Sequence, residues 1–390
     1  MTVLFLLCVG FCAYTLFAYP LLLGLLARRN PRPVRKGPCA PTVSIILPVH
    51  NGEAWIGAKL RCLRELTYSP ELMEILVVSD GSTDGTQEIV EAFRCRAKLE
   101  FLALPRGGKA AALNAAIARA RGEILFFTDV RQGLHPDSLT NLAACFADPE
   151  VGVASGELVI RDGAGVEEAS VGMYWKYEKW IRKHLSRLDS VPGATGCIYA
   201  MRRELATTLP PATLNDDMYL PLGAFFRGYR VILDDTALAF DYPTLLISEF
   251  RRKVRTLAGV YQVTRFYPAL LGPGNRMWIH FFSHKLARLV MPWALIVAAA
   301  ASIGMPEPWK NWAIGGQLLA YGLAVIDLWV PDKSPLKRLT SPLLTFAVLM
   351  VASMCALAIL FVPAKVLWRE TRVTAEPEKQ VGPEVESPLR

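Results

Sequence analysis

The feature that most limits what this chain can become is the apolar run at its start. From Val3 to Leu26 nearly every side chain is a hydrocarbon or an aromatic ring, long enough to cross a bilayer as a helix. Arg28, Arg29, Arg32, Arg35 and Lys36 follow at once. A secretory signal carries its basic residues before the apolar run and a small-residue cleavage site after it. The reverse order here reads as an uncleaved anchor with its basic flank in the cytoplasm. Three further candidate spans lie near the end of the sequence, at 286–303, 312–330 and 343–362. The composition agrees, with 52% hydrophobic residues and a mean hydropathy of +0.28. A cytoplasmic middle segment followed by three spans puts the tail outside, where Lys365, Arg369 and Arg372 run against the positive-inside rule. Lys333, Lys337 and Arg338 fit a cytoplasmic loop between the last two spans. Either the rule is broken at the tail or one apolar stretch is re-entrant, and both readings stay open. The tail, 363–390, is rich in Pro, Glu and Lys and reads as disordered.

Charge and cysteine usage remove several function classes. The 8 cysteines stand at 8, 12, 39, 62, 95, 145, 197 and 355 with no Cys-x-x-Cys pair, which argues against a zinc site or a disulfide framework and suits a reducing face. The net charge of +8 is mostly membrane-flanking Lys and Arg. No nucleic-acid-binding motif accompanies it, so nucleic acid is not an expected partner. A transporter is also disfavoured, because polar residues are nearly absent from the spans and only Asp327 stands out.

Between the anchor and the later spans lies a mixed, charged segment long enough for one sizeable core. Val43–Leu47 is a β-branched run closed by Pro48, hence a buried strand, and 54–66 has the helical spacing of Ile56, Leu60 and Leu63. The pattern then alternates: strand 74–78, helix 87–93, strand 99–104, an alanine-rich helix 109–121, strand 123–128 and helix 137–146. Short apolar strands separated by helices predict an α/β, doubly wound, mostly parallel sheet. Ligands bind outside the carboxyl ends of such strands. Polar signals recur there: Asn51 and Glu53 after the first strand, Ser79–Gly85 after the second, Arg106–Lys109 after the third and Asp129 after the fourth.

Each signal carries two readings. Gly107-Gly108-Lys109 is either a turn with a solvated lysine or an anion-facing helix start, since a lysine there is unfavourable unless something negative sits opposite. Asp80 and Asp129 are turn caps, or acceptors for a base N–H and a hard cation respectively. Asp216 and Asp217 either cap a helix or include a general base. Arg251, Arg252, Lys253 and Arg255 form a membrane-surface face or offer guanidinium forks to a diphosphate. Tyr174, Trp175, Tyr177 and Trp180 have helical spacing, which packing explains better than sugar stacking. Arg131 stands where a second carboxylate would complete a metal site beside Asp129. It either takes a phosphate or an acidic acceptor, or points into solvent.

Taken in order, VSIILPVHNGE, VVSDGSTDGT, GGKAAALNAA, ILFFTD, GATG, NDDMYL and RRKVRTLAG resemble the membrane-bound family 2 glycosyltransferases, the group that includes cellulose, hyaluronan and poly-N-acetylglucosamine synthases. The resemblance runs from Val43 to about Gly259 and implies a GT-A fold. It divides the chain into an anchor 1–27, a basic linker 28–41, a GT-A domain 42–245, interfacial helices 246–285, spans 286–362 and the tail. It further implies that Pro48, Asn51 and Glu53 line the nucleoside and that Asp80 binds the base, uracil being the expected one. Lys109 and Arg255 would face the diphosphate, and Asp129 the metal (Mg²⁺ or Mn²⁺) and the diphosphate. Gly193, Thr195, Gly196, Asp216 and Arg252 would lie near the acceptor, and Asp217 would be the general base. Thr256 replaces the tryptophan that closes the last motif in polymerising members, which places a long polymer channel in doubt. The implied reaction is inverting transfer from a UDP-sugar to a lipid-linked or polysaccharide acceptor at the cytoplasmic face of the inner membrane, with export proteins as partners. Transfer to polyprenyl phosphate and an inactive scaffold in a secretion complex are the alternatives.

Overall fold

The computed structural model describes residues 1–160, 167–242, 246–331 and 334–367. The tail beyond 367, together with Lys333, Arg369 and Arg372, for which the sequence raised expectations, lies outside the described residues. The chain forms two compact units, one from Pro33–Arg161 and Asp189–Pro243, the other from Met1–Arg32, Asp162–Leu188 and Thr244–Arg372.

The first unit is built on an 8-stranded sheet in the order β3-β2-β1-β4-β7-β6-β8-β5. Its strands are β1 Val43–Val49, β2 Met73–Asp80, β3 Lys98–Leu104, β4 Ile124–Phe127, β5 Gly133–Leu134, β6 Val151–Ile160, β7 Tyr199–Arg202 and β8 Arg230–Asp241. β3, β2, β1 and β4 run parallel, as their short apolar runs predict. β2 is buried at every position because helices cover both faces. The other half is mixed: β7 is antiparallel to both β4 and β6, β5 to β8, while β6 and β8 are parallel.

Strand order reverses between β1 and β4, the topological switch point at which such sheets open a ligand crevice. The sequence explains the opening. The β1–β4 ladder ends at Ile46↔Phe127, and two residues on stands Pro48, which has no N–H to continue it. β1 stays paired with β2 as far as Val49↔Ser79. The two central strands therefore part where the polar residues begin.

The second unit is helical. Thr2–Arg29, Trp278–Ile303, Trp309–Trp329 and Lys337–Leu360 are each long and apolar enough to cross a membrane. The Trp278 start lies earlier than the hydropathy of the sequence suggests, because the helix continues through the more polar His280–Lys285. Some polar side chains along these helices pair with one another: Tyr14 and Ser283 hydroxyls lie 2.7 Å apart, and the Tyr19 hydroxyl lies 3.2 Å from His280 Nδ1. Asp327, the acid that stood out in the sequence, accepts hydrogen bonds from Thr340 and Ser341 and pairs with Lys337 at 3.2 Å. It clamps the last two apolar helices at their turn.

The Glu167–Leu188 helix packs within this helical unit although its sequence lies inside the 42–245 segment. Trp180 lies against Gly24, where an added Cβ would meet the indole at 2.9 Å, and the Tyr177 hydroxyl donates to Leu16 O. The aromatic stripe is thus a packing face; the side chain of Tyr174 falls outside the described residues. Glu178 on the same helix pairs with Arg288 at 2.6 Å, His284 at 3.2 Å and Lys285 at 3.7 Å. Burial pushes its carboxyl up, but the Arg288, His284 and Lys285 charges outweigh that and hold it well below the usual range.

Candidate active site

The loops after β1 and β2 fasten each other. Asn51 adopts φ 48°, a left-handed conformation that asparagine tolerates, and its side-chain Oδ1 accepts from Thr83 N at 2.9 Å. Glu53 N donates to Asp84 Oδ2 at 2.9 Å, and Glu53 Oε2 accepts from Gly85 N at 3.1 Å. His50 Nδ1 lies 2.9 Å from Asp80 O. The residues expected to line a nucleoside are therefore fixed by the neighbouring loop rather than projecting freely.

Asp80 closes β2 and organises the next loop. Its Oδ1 accepts from Gly107 N at 2.6 Å and Gly108 N at 2.9 Å, while Oδ2 accepts from Arg106 Nη1 at 2.8 Å. Gly108 holds φ +88°, a conformation that a side chain would strain, and it delivers Lys109 to the first position of the Lys109–Arg119 helix. The carboxylate expected to meet a base is thus largely engaged in shaping the loop that presents Lys109. An ionised carboxylate has about four acceptor sites, and three donors occupy this one.

Lys109 is the centre of the constellation. Its Nζ lies 3.2 Å from Asp129 Oδ1 and 3.3 Å from Asp216 Oδ2, with its side chain 23% exposed. Burial pulls its ammonium down, and the Asp129, Asp216 and Asp217 charges more than offset this, leaving it above its ordinary value. The lysine at a helix start that looked unfavourable in the sequence has its negative partners.

Asp216 and Asp217 open the Asp216–Phe226 helix. The Gly193–Gly196 turn packs on that start: Ala194 N donates to Asp217 O at 2.7 Å. A Cβ at Gly196 would stand 3.1 Å from Asp217 Oδ2, and one at Gly193 would strike Met218 Cγ at 2.5 Å. The two motifs, distant in sequence, need glycine because they touch. Thr195 belongs to the turn's scaffold, since its hydroxyl donates to Gly156 O at 2.8 Å and its N–H to Ser155 Oγ at 2.8 Å.

Arg131 does not point into solvent. Its Nη2 meets Asp241 Oδ2 at 2.5 Å, and Gln132 Nε2 donates to the same oxygen at 2.8 Å. The arginine joins the loop after β4 to the end of β8. Arg252 and Arg255 lie on the Leu246–Phe266 helix of the helical unit. Arg252 holds Glu249 with a bidentate fork at 2.7 and 2.8 Å and lies over the Trp175 ring, 5.5 Å from its centroid.

Two residues escape a motif reading. Tyr199 on β7 stacks on Phe127 with ring centroids 4.5 Å apart, and among the described residues its buried hydroxyl has no hydrogen-bond partner. Burial, then the Asp216, Asp217 and Asp129 charges, push its phenol well above the usual value. Lys59 lies beneath the Asp129 loop, its side chain wholly buried. Its signal was present in the sequence as a lysine within the apolar stripe of Ile56, Leu60 and Leu63.

Comparison with known proteins agrees with this arrangement. Residues 44–209 match the family described as Glycosyl transferase family 2. The probable glycosyltransferase YdaM of Bacillus subtilis is 24% identical over 222 residues, 52% of this chain and 50% of that protein. An N-acetylglucosaminyltransferase of Rhizobium meliloti is 26% identical over 294 residues, 70% of this chain and 68% of its own length. The chain thus spans about half of the first relative and about two thirds of the second. Among solved structures, the mannosyltransferase PcManGT of Pyrobaculum calidifontis, in complex with GDP-Man and Mn²⁺, superposes with a TM-score of 0.68 at 26% identity, covering 90% of this chain and 99% of that one. With its strand order, its converging loops and this match, the sheet unit has the GT-A fold, and residues 44–209 form a family 2 glycosyltransferase domain.

Proposed function

We propose that this chain is an inverting glycosyltransferase that moves a sugar from a nucleotide sugar to a lipid-linked or polysaccharide acceptor at the cytoplasmic face of the membrane. The observation that carries the reading is the Asp129–Lys109–Asp216 bridge at the switch point, with Asp217 beside it against the Gly193–Gly196 turn. Catalysis of this class needs a cation where a diphosphate leaves and a carboxylate where a hydroxyl attacks. The same residues weigh against an inactive scaffold.

In this mechanism Asp217 accepts the proton of the acceptor hydroxyl as its oxygen bonds to the anomeric carbon. The bond from that carbon to the diphosphate breaks on the opposite side, and the diphosphate leaves with both electrons, so the anomeric configuration inverts. Lys109 counters the charge that develops on the leaving oxygen. Arg255 adds a second cation to the diphosphate in this reading, and Arg252 stays on the acceptor side. Pro48, Asn51 and Glu53 shape the nucleoside end, and the Asp80 carboxylate takes an N–H of the base.

The donor set fits a divalent cation shared with substrate. Among the described residues no group of three or more His, Cys, Asp or Glu could hold a metal alone. Asp129, with its side chain 37% exposed, can offer an oxygen to an ion whose other ligands are phosphate oxygens and water. When bound, that ion supplies charge neutralisation to the diphosphate.

A UDP-linked N-acetylhexosamine is the first donor to test, since relatives such as the Rhizobium meliloti protein are N-acetylglucosaminyltransferases. GDP-mannose is the second, because the superposed mannosyltransferase binds it. Purified protein in detergent, given UDP-GlcNAc, UDP-Glc and GDP-Man with a membrane-lipid extract, should release nucleotide from one of them in Mn²⁺ and lose that release in excess chelator. Full turnover in chelator would remove the cation from the account. Polyprenyl phosphate, added as sole acceptor, distinguishes the lipid-phosphate alternative.

A further inference from the structure

Lys59 places a polar Nζ where an aliphatic residue would fill the helix face. It lies on the Glu53–Arg64 helix beside Ile56, Leu60 and Leu63, and all four side chains are 0% exposed. Among the described residues Lys59 has no carboxylate in ion-pair contact; its Nζ donates to Thr128 Oγ1 at 2.7 Å and to Gln132 O at 2.6 Å. Those acceptors bracket the segment 129–131, with Asp129 at its head. Thr128 Oγ1 in turn donates to Cys197 O at 2.9 Å, and Cys197 directly follows Gly196, the glycine packed on Asp217. An aliphatic side chain could fill the volume, but it would leave both oxygens without this donor.

We propose that Lys59 is a positioning residue that locks the Asp129 loop and the Gly193–Gly196 turn into one register, so that the diphosphate-facing carboxylate and the proton acceptor keep a fixed separation. It acts through Thr128 and touches no substrate. Burial lowers its ammonium from the ordinary lysine value, the expected direction for a cation held by neutral oxygens. The proposal rests on the functional reading above for its consequence, but its structural half is independent of that reading.

The test uses the full chain in detergent, comparing wild type, Lys59→Met and Thr128→Val. Hydrogen exchange of the ligand-free proteins should show amides of 128–134 and 194–198 exchanging at least tenfold faster in Lys59→Met, with those of β2 and β3 unchanged. Titration calorimetry with UDP and GDP in Mn²⁺ should show affinity reduced tenfold or more at unchanged stoichiometry. Thr128→Val should loosen 194–198 while leaving the 132–134 amides protected, because Lys59 still holds Gln132 O. Unchanged exchange in a folded Lys59→Met overturns the proposal. If Lys59→Met does not fold, Thr128→Val decides alone: no loosening at 194–198 overturns the link. Faster exchange in Lys59→Met, together with a wild type that binds neither nucleotide, supports the positioning role and contradicts the proposed function instead.

Discussion

Lys109 bears the charge balance at the strand ends, and its loss should be felt in chemistry before folding. Lys109→Met leaves Asp129 and Asp216 facing each other without their shared cation. Steady-state kinetics should show kcat reduced about 100-fold or more, the scale of a lost electrostatic stabiliser. An undiminished kcat would assign the lysine to ground-state folding alone. That Lys109 and Asp129 would share a rim was legible in the sequence, because strand ends in a parallel sheet converge, whereas Asp216 entered only through the motif order. What each side chain does there was less legible. Asn51, Glu53 and Asp80 carry acceptors that backbone N–H groups claim, and Thr195 donates to Ser155 and Gly156; such partners come from segments whose register the sequence does not announce. Arg131 is the plainest case, since its partner Asp241 lies on β8, far along the chain.

At the scale of elements, the site depends on close approach between a turn and a helix start. Gly196→Val adds atoms 3.1 Å and nearer to Asp217 Oδ2, so the carboxylate must move. The φ of Gly196 is not in the left-handed region, so the effect is steric and local. Kinetics should show kcat lowered about tenfold or more, with the melting temperature shifted by only a few degrees. An unaltered kcat would mean that Asp217 has freedom to retreat. β1 to β4 and their helices were readable from short apolar runs and helical spacing. In the mixed half β5 has only 2 residues and β7 only 4, too short for a period. The lysine in the stripe of the Glu53–Arg64 helix was visible as an anomaly, though its partners Thr128 and Gln132 were not.

At the scale of the whole molecule, an apolar helical unit and a sheet unit place different demands on one chain. The helical unit gathers charge around Glu178 rather than excluding it. Glu178→Gln leaves Arg288 and Lys285 without their carboxylate and should cost about 3 kcal/mol. Its pH dependence has a defined sign. The folded value lies below the unfolded one, near ~4.3, so the contribution is complete above that pH and is lost as pH falls through the folded value. Melting in detergent from pH 5 to 3 should therefore fall more steeply for wild type than for Glu178→Gln; parallel curves would contradict the pairing. The apolar spans were legible from hydropathy, whereas the placement of the Glu167–Leu188 helix among them required its packing partners, Gly24 and Leu16. The most direct test of the central claim is Asp217→Asn in the nucleotide-sugar panel. The account predicts Mn²⁺-dependent nucleotide release by wild type from one donor, and release reduced about 100-fold or more by the variant with donor KM unchanged. Equal turnover by wild type and Asp217→Asn would contradict it.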